Sequence, residues 1–322
     1  MNLQPKGIPF IITAGSNYLD IDAYACCVAM RELLALQGER AAAYSAAPCN
    51  YSVCPSLLAE GQLDQTLPPE IHPSQARYVI VDVSDPDYIR DTVPLDRVSA
   101  VYDHHTGFEA FWHSRIGADA HIEFLGAAAT LVFREWKAAG LLDQMESATA
   151  RLLVAAVLDN TLNLTSANTT PEDREAFDAL CALADVDEAW CAAYFSEVQD
   201  LVEADLENAL RKDLKKIPPH AALPPRVAQL CVWDAARILK KLDAVRRILS
   251  ADPGAWMLNI IDIGRRRSWF VCDDPQCQNG LERIFDVCFD GGVAACSVSY
   301  LRKEILKKVQ EQEESAERPA GN

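Results

Sequence analysis

Long hydrophobic runs are missing from this sequence. No apolar run approaches the ~20 residues that a helix needs to cross a bilayer, so the sequence argues against a membrane-spanning protein. The first fifteen residues, MNLQPKGIPFIITAG, lack the longer apolar region and the small-residue cleavage site of a secretory signal. We therefore expect a cytoplasmic protein whose first apolar stretch forms a buried strand.

Positive charge is also scarce. The chain has 30 Lys and Arg against 47 Asp and Glu, a net charge of −17. Nucleic-acid binding usually needs a basic face, so the composition disfavours a nucleic-acid partner. The residues from Ala209 onwards hold 19 basic and 15 acidic side chains, so the acidic excess lies before them. This division suits metal ligands in the front part and anion ligands in the back part, although a solvated acidic surface explains most of it.

The paired Cys spacing that is typical of zinc ribbons is absent although the chain has 11 Cys. Four residues separate Cys49 from Cys54, and four separate Cys272 from Cys277. Most of the other Cys stand among apolar residues, where a free thiol acts as a small hydrophobic group. We expect reduced, structural thiols, in keeping with a reducing compartment.

Short apolar strands alternate with amphipathic helices in the first half of the chain. Strands are predicted over residues 8–14, 78–83 and 98–102, and helices over 23–36 and 126–139. This alternation predicts an α/β fold with a doubly wound parallel sheet. Ligands of such sheets bind beyond the carboxyl ends of the strands.

A proline-rich break, IPPHAALPP, covers residues 217–225 and separates two predicted domains. We predict a front domain over residues 1–195, a linker region over 196–225 and a smaller α/β domain over 226–322. The predicted elements of that second domain are a strand over 227–233, a helix over 235–249, strands over 256–262 and 268–272, a helix over 279–289, a strand over 294–298 and a final helix.

Acidic and histidine residues follow the predicted strands. The pair Asp20 and Asp22 follows the first strand, Asp82 ends the run YVIVD, and Asp103-His104-His105 follows VSAVY. A fourth segment, AAVLDNTLNLTS, carries Asp159 and Asn160. A DxD pair taken alone is more often a helix cap, but the four segments would converge at one sheet edge. Oxygen-rich ligands with one or two imidazoles suit Mn²⁺ or Mg²⁺, and two such ions can activate water against phosphorus.

The order of these motifs resembles the DHH phosphoesterase superfamily. DxDA, VD, DHH, GAAAT (residues 126–130) and Leu-Asp-Asn-Thr-Leu occur in the family's order, and TLNLTSANTT is similar to a segment of manganese-dependent pyrophosphatases. The back half resembles the DHH-associated domain of those pyrophosphatases and of the exopolyphosphatase and prune-type branch. Residues 210–213 are similar to its Lys-Asp segment, and residues 299–306 to its Ser-Arg-Lys-Lys signature.

The resemblance implies a role for each matching residue of the site. Asp20 would bind a first metal, Asp22 and His104 a second, and Asp82 would bridge the two. Asp103 would orient the His pair.

On the substrate side, the resemblance implies that His105 would assist the leaving oxygen. Arg302, Lys303 and Lys212 would hold the terminal phosphates of a small phosphorylated substrate in a cleft between the domains. The implied activity is hydrolysis of phosphoanhydride bonds in pyrophosphate or short-chain polyphosphate with two Mn²⁺ or Mg²⁺ ions.

Three positions depart from the family pattern. Ser16, followed by Asn17, stands where pyrophosphatases have a His ligand, although the exopolyphosphatase and prune-type branch has Asn here. The last ligand Asp aligns with Asn160, and a one-residue shift would let Asp159 serve instead. Arg302-Lys303 fits the signature in either of two registers.

These departures keep two alternatives open. One is a catalytically impaired relative that binds a phosphorylated ligand or a protein. The other is a phosphodiesterase of short oligonucleotides or cyclic dinucleotides, against which stands the lack of a His after Asp290-Gly-Gly. Whether the chain is a monomer or a homodimer stays open.

Overall fold

A computed structural model describes residues 7–15, 18–61, 63–64 and 66–317. The chain divides into two compact units, Met1–Tyr194 and Phe195–Asn322. In the described part of the chain, no helix has the length and apolar character needed to cross a membrane.

The first unit is built on a five-stranded sheet in the order β2-β1-β3-β4-β5, and every neighbouring pair is parallel. This sheet confirms the predicted α/β class. Its strands are β1 Phe10–Thr13, β2 Ala41–Ala43, β3 Arg77–Val81, β4 Val98–Asp103 and β5 Ala120–Ile122.

Helices connect these strands and continue beyond them. They are α1 Ile21–Leu36, α2 Pro55–Leu58, α3 Pro86–Ile89, α4 Glu109–Ile116, α5 Ala128–Ala139, α6 Ser147–Asn160, α7 Pro171–Ala184 and α8 Glu188–Ala204, which crosses into the second unit. Asp20 caps α1 by accepting the Ala23 amide, and Thr170 and Asp173 form a capping box on α7.

Two buried tryptophans tie elements of the first unit to one another. The Trp112 indole on α4 donates to the Ser84 carbonyl at 2.6 Å, just after β3. The Trp136 indole on α5 donates to the Ala29 carbonyl at 3.2 Å and so ties α5 to α1. Both side chains are fully buried. The loop after β3 and the position of α5 are therefore set by packing as well as by hydrogen bonds.

The second unit contains a mixed sheet in the order β10-β9-β8-β7-β6, in which only β7 and β8 are parallel neighbours. Its elements are α9 Leu206–Asp213, β6 Lys215–Lys216, β7 Arg226–Val232, α10 Ala235–Leu239, α11 Leu242–Leu249, β8 Trp256–Asp262, β9 Arg267–Val271, α12 Pro275–Phe285, β10 Val293–Cys296 and α13 Arg302–Glu317.

The single helix predicted over residues 235–249 is wrong, because a turn at Lys240 and Lys241 separates α10 from α11. The Lys241 amide bonds to the Ile238 carbonyl at 2.8 Å, which closes the first helix. Apolar residues continue at helical spacing across the turn, so the sequence pattern does not reveal the break.

Candidate metal centre

Three neighbouring strands bring the acidic residues to one edge of the first sheet. Asp82 directly follows β3, Asp103 is the last residue of β4, and Asp20 and Asp22 begin the helix after β1. Asp82 has a φ of 57°, which lies in the left-handed region that few residues other than glycine adopt. Such a conformation costs free energy and is often found at functional sites.

His104 points one ring nitrogen into this group. Its Nδ1 lies 3.1 Å from the Leu125 carbonyl oxygen, and its Nε2 lies 3.5 Å from Asp82 Oδ1 and 3.9 Å from Asp22 Oδ2. Burial, and next the charge of His105, lower the pKa of His104 to about 4. The ring is therefore neutral, with Nδ1–H donating to the carbonyl and an Nε2 lone pair facing the carboxylates. Within the described residues this buried Nε2 has no hydrogen-bond partner.

The carboxylates around His104 are buried close together. The Asp22 side chain is fully buried and that of Asp82 is 8% exposed. Burial, followed by the charge of Asp20, raises the pKa of Asp22 to about 7. Burial and the charges of Asp20 and Asp22 also raise the pKa of Asp82. Among the described residues, no ion pair joins Asp22 or Asp82 to Lys or Arg.

A cation fits this arrangement. Buried carboxylates without a positive partner are costly, and a neutral imidazole lone pair directed at them is the donor that a metal accepts. Donor atoms of Asp82, His104 and His105 lie within 4.8 Å of one another. The side-chain oxygens and nitrogens suit Mn²⁺ or Mg²⁺ better than a thiophilic ion.

His105 and Asp103 form a pair beside this cluster. Asp103 is fully buried, and its Oδ1 accepts from the His105 amide at 3.0 Å and from His105 Nδ1 at 2.8 Å. The hydrogen bond with Asp103 raises the pKa of His105. Burial acts to raise the pKa of Asp103, but the hydrogen bonds from His105 and Ser84 and the charge of His105 together lower that pKa. With Nδ1 engaged and the side chain 65% exposed, Nε2 is the ring nitrogen of His105 that remains accessible.

Asp159 and Asn160, the last two residues of α6, have different partners. The Tyr194 hydroxyl on α8 lies 3.1 Å from Asp159 Oδ1, and burial together with the charge of Asp20 raises the pKa of Asp159 to about 7. The side-chain amide of Asn160 (Nδ2) instead donates to the Ala156 carbonyl of its own helix at 3.4 Å. The geometry thus favours Asp159 over Asn160 as the residue of the acidic cluster. Tyr194 was missed from the sequence, where it is one aromatic residue in an apolar helix.

The start of α5 holds Asp22. The amides of Ala128 and Ala129 donate to its two carboxylate oxygens, each at 2.8 Å. These amides belong to the first turn of the helix and have no partner within it, so a carboxylate suits them. The small residues of GAAAT give the backbone this access, a role that motif spacing does not reveal.

The three basic residues expected at the substrate lie in the second unit. Arg302 begins α13, and its guanidinium bonds to Asp213 Oδ2 at 2.5 Å and is 14% exposed. Lys212 and Lys303 are exposed. Residues 210–213 and residues 299–306 are therefore in contact through the bond between Asp213 and Arg302. Ser16 and Asn17 lie outside the described residues.

The raised carboxyl pKa values predict how the metal-free protein responds to pH. A carboxyl with a pKa of about 7 in the folded chain and near 3.9 when unfolded adds stability at low pH, and this contribution is lost as pH rises through 7. We expect the melting temperature of the metal-stripped protein to fall by several degrees between pH 5.5 and pH 8.

Thermal unfolding with and without Mn²⁺ at both pH values measures this effect. Mn²⁺ should stabilise the protein more at pH 8, where it meets carboxylates rather than carboxylic acids. In Asp159→Asn the fall with pH should be smaller. A melting temperature that stays level, or rises, from pH 5.5 to pH 8 would count against a metal-free carboxylate cluster.

Known proteins support the resemblance seen in the motifs. No family model matches the chain. A probable manganese-dependent inorganic pyrophosphatase from Deinococcus radiodurans is 28% identical over 208 residues, 62% of each chain. The chain spans less than two thirds of the length of the curated relatives that it matches.

Two solved structures share the fold along nearly the whole chain. A candidate family II inorganic pyrophosphatase from Methanococcus jannaschii matches with a TM-score of 0.58 and 17% identity, over 94% of this chain and 98% of that one. An exopolyphosphatase-related protein from Bacteroides fragilis matches with a TM-score of 0.51 and 13% identity, over 95% and 92%. The curated relatives confirm the resemblance to manganese-dependent pyrophosphatases, and the two solved structures show that the fold is shared.

Proposed function

We propose that this chain is a metal-dependent hydrolase of phosphoanhydride bonds, acting on pyrophosphate or short-chain polyphosphate with Mn²⁺ or Mg²⁺. The main support for this proposal is the neutral His104 ring, whose Nε2 faces the buried carboxylates of Asp22 and Asp82. The name of the Deinococcus relative supports manganese and pyrophosphate in particular. We place the reaction in the cytoplasm.

The proposed metal ligands divide into two sets that share Asp82. Asp20 and Asp159 serve a first ion, whereas Asp22 and His104 serve a second. His104 Nε2 faces Asp22 in the second set. Asp20 and Asp159 are the remaining carboxylates of the cluster, and burial together with the charge of Asp20 raises the pKa of Asp159. Divalent ions bound there would supply Lewis acidity to the attacked phosphoryl group.

The protein's own proton donor is His105. Its bond to Asp103 fixes the ring and favours the protonated form, which leaves Nε2–H to donate to the oxygen between two phosphorus atoms. Protonating that oxygen makes the departing phosphate a better leaving group. Lys212, Lys303 and Arg302 are the proposed ligands of the terminal phosphates, with Arg302 oriented by Asp213.

Phosphate release from pyrophosphate and tripolyphosphate, with Mn²⁺, Mg²⁺ or EDTA, tests the proposal. We expect release from at least one of them that requires a divalent ion. No release from either with both ions present would contradict the proposal. Thermal stabilisation by pyrophosphate without turnover would then favour a non-catalytic binder, and cleavage of a short oligonucleotide would favour a phosphodiesterase.

The choice between Asp159 and Asn160 gives a paired prediction. Asp159→Asn should raise the half-saturating Mn²⁺ concentration by about tenfold or more, because a charged ligand is lost. Asn160→Asp should leave it unchanged, since the Asn160 amide bonds to Ala156 in its own helix. Electron paramagnetic resonance of free Mn²⁺ measures both. Tighter binding in Asn160→Asp would assign the ligand to position 160 instead.

A further inference from the structure

Helix α5 has no side-chain cap of its own, although its start holds Asp22. Asp173 reaches the same helix start from α7. Its Oδ2 accepts from the Gly126 amide at 2.9 Å, and its Oδ1 accepts from the Thr130 hydroxyl at 2.5 Å. Two carboxylates, each far from α5 in the sequence, therefore hold the first turn of one helix.

Asp173 is a fully buried carboxylate that accepts hydrogen bonds from its own helix start as well as from α5. Besides its bonds to α5, its Oδ2 accepts from the amide and the hydroxyl of Thr170, at 2.7 and 2.8 Å. The capping box of α7 is thereby joined to the start of α5. A buried carboxylate with four donors fixes its neighbours firmly, and losing the Thr130 hydroxyl would leave Oδ1 as a costly unpaired oxygen.

The backbone at Gly126 is shaped for this contact. A Cβ at that position would lie 2.5 Å from the Thr161 methyl carbon and 2.7 Å from Asp173 Oδ2. Only glycine allows the Gly126 amide to approach the carboxylate so closely. The contact is therefore built into the sequence at residue 126 as well as at residue 173.

We propose that Asp173 is a positioning residue of the metal centre. Asp173 fixes the Gly126 amide and the Thr130 side chain. Because these two residues flank Ala128 and Ala129, they set the direction of the Ala128 and Ala129 amides. These amides in turn orient both oxygens of Asp22. The inference rests on the proposed function, because it needs Asp22 to be a metal ligand.

Asp173→Asn is the first test. Asparagine keeps the shape but offers one acceptor oxygen in place of two, so the start of α5 should loosen. We expect the half-saturating Mn²⁺ concentration to rise about tenfold, which is the usual effect of losing a residue that orients a metal ligand. The kcat at saturating Mn²⁺ should stay within about twofold of wild type. Mn²⁺ titration by electron paramagnetic resonance and pyrophosphate turnover at varied Mn²⁺ measure the two quantities.

Two control variants separate positioning from general destabilisation. Asp187→Ala removes the carboxylate that accepts the Trp190 amide in the first turn of α8, and Asp274→Ala removes a helix-capping carboxylate from α12 in the second unit. Both should lower the melting temperature without changing Mn²⁺ affinity. Thr130→Val, which removes one donor to Asp173, should weaken Mn²⁺ binding severalfold and stands in if Asp173→Asn fails to fold.

Each result decides between distinct conclusions. Unchanged Mn²⁺ affinity in Asp173→Asn, or in Thr130→Val if the first variant does not fold, overturns the positioning role while the proposed function stands. Equal losses of affinity in Asp187→Ala and Asp274→Ala also overturn it, because stability alone would explain them. Absence of Mn²⁺ binding in the wild-type protein overturns the metal assignment itself.

Discussion

Replacing Asp82 by alanine is expected to abolish Mn²⁺ binding and phosphate release together. Asp82 lies 3.5 Å from His104 Nε2, and its carboxylate is the one shared by both proposed ligand sets. Losing a residue that only orients a metal ligand already lowers metal affinity by about 10–100-fold. Losing the shared ligand itself should therefore lower Mn²⁺ affinity by more than about 100-fold. Mn²⁺ titration and pyrophosphate hydrolysis at saturating Mn²⁺ measure both effects.

Two further variants make the result specific to the carboxylate. Alanine is strained at a φ of 57°, so Asp82→Gly, which tolerates that backbone, should show the same loss with a relaxed chain. Asp87→Ala removes an exposed carboxylate from the next helix, α3, and should leave Mn²⁺ binding intact. Activity retained in both Asp82 variants would refute the shared metal ligand.

A second large effect is expected from His105→Ala, with a different signature. The variant should lose about 10²–10⁴-fold in kcat, the usual contribution of general acid catalysis, but keep its Mn²⁺ affinity. The reason is that Nδ1 of His105 is bonded to Asp103 at 2.8 Å and lies farther, 3.9 Å, from Asp82 Oδ1. Pyrophosphate turnover and Mn²⁺ titration are measured on the same preparation.

The split between kcat and metal affinity distinguishes two roles of His105. If Nδ1 turned from Asp103 to bind metal beside Asp82, His105→Ala would weaken Mn²⁺ binding as strongly as it lowers kcat. His113→Ala is a matched control, since this exposed His bonds only to the Gly117 carbonyl among the described residues. It should change neither quantity.

The sequence predicts the sheet of the first unit and most of the acidic cluster for one physical reason. Buried parallel strands read as short β-branched runs, and their carboxyl ends must meet at one edge. Asp82 and Asp103 are identified by position alone, because one follows β3 and the other ends β4. Local pattern and a general packing rule are enough there.

The contacts made by helices could not be predicted in the same way. The ambiguity between Asp159 and Asn160 is one residue, or about 100° of helix rotation, and Tyr194 on another helix marks the side that faces the cluster. Asp173 reads in the sequence as an ordinary member of a capping box, which it also is. Its bond to Gly126 depends on how α5 and α7 pack, and no local pattern records that.

The left-handed backbone of Asp82 would make loss of the proposed metal centre easy in evolution. Single base changes convert an Asp codon into one for Asn or Gly, and both residues tolerate a φ near +57° as well as Asp or better. Such a mutation removes the shared carboxylate and, in the case of Gly, relieves backbone strain of about 1–3 kcal/mol. Relatives that have become non-catalytic phosphate binders should therefore carry Asn or Gly at this position more often than alanine, and a comparison of active with inactive relatives would reveal that bias.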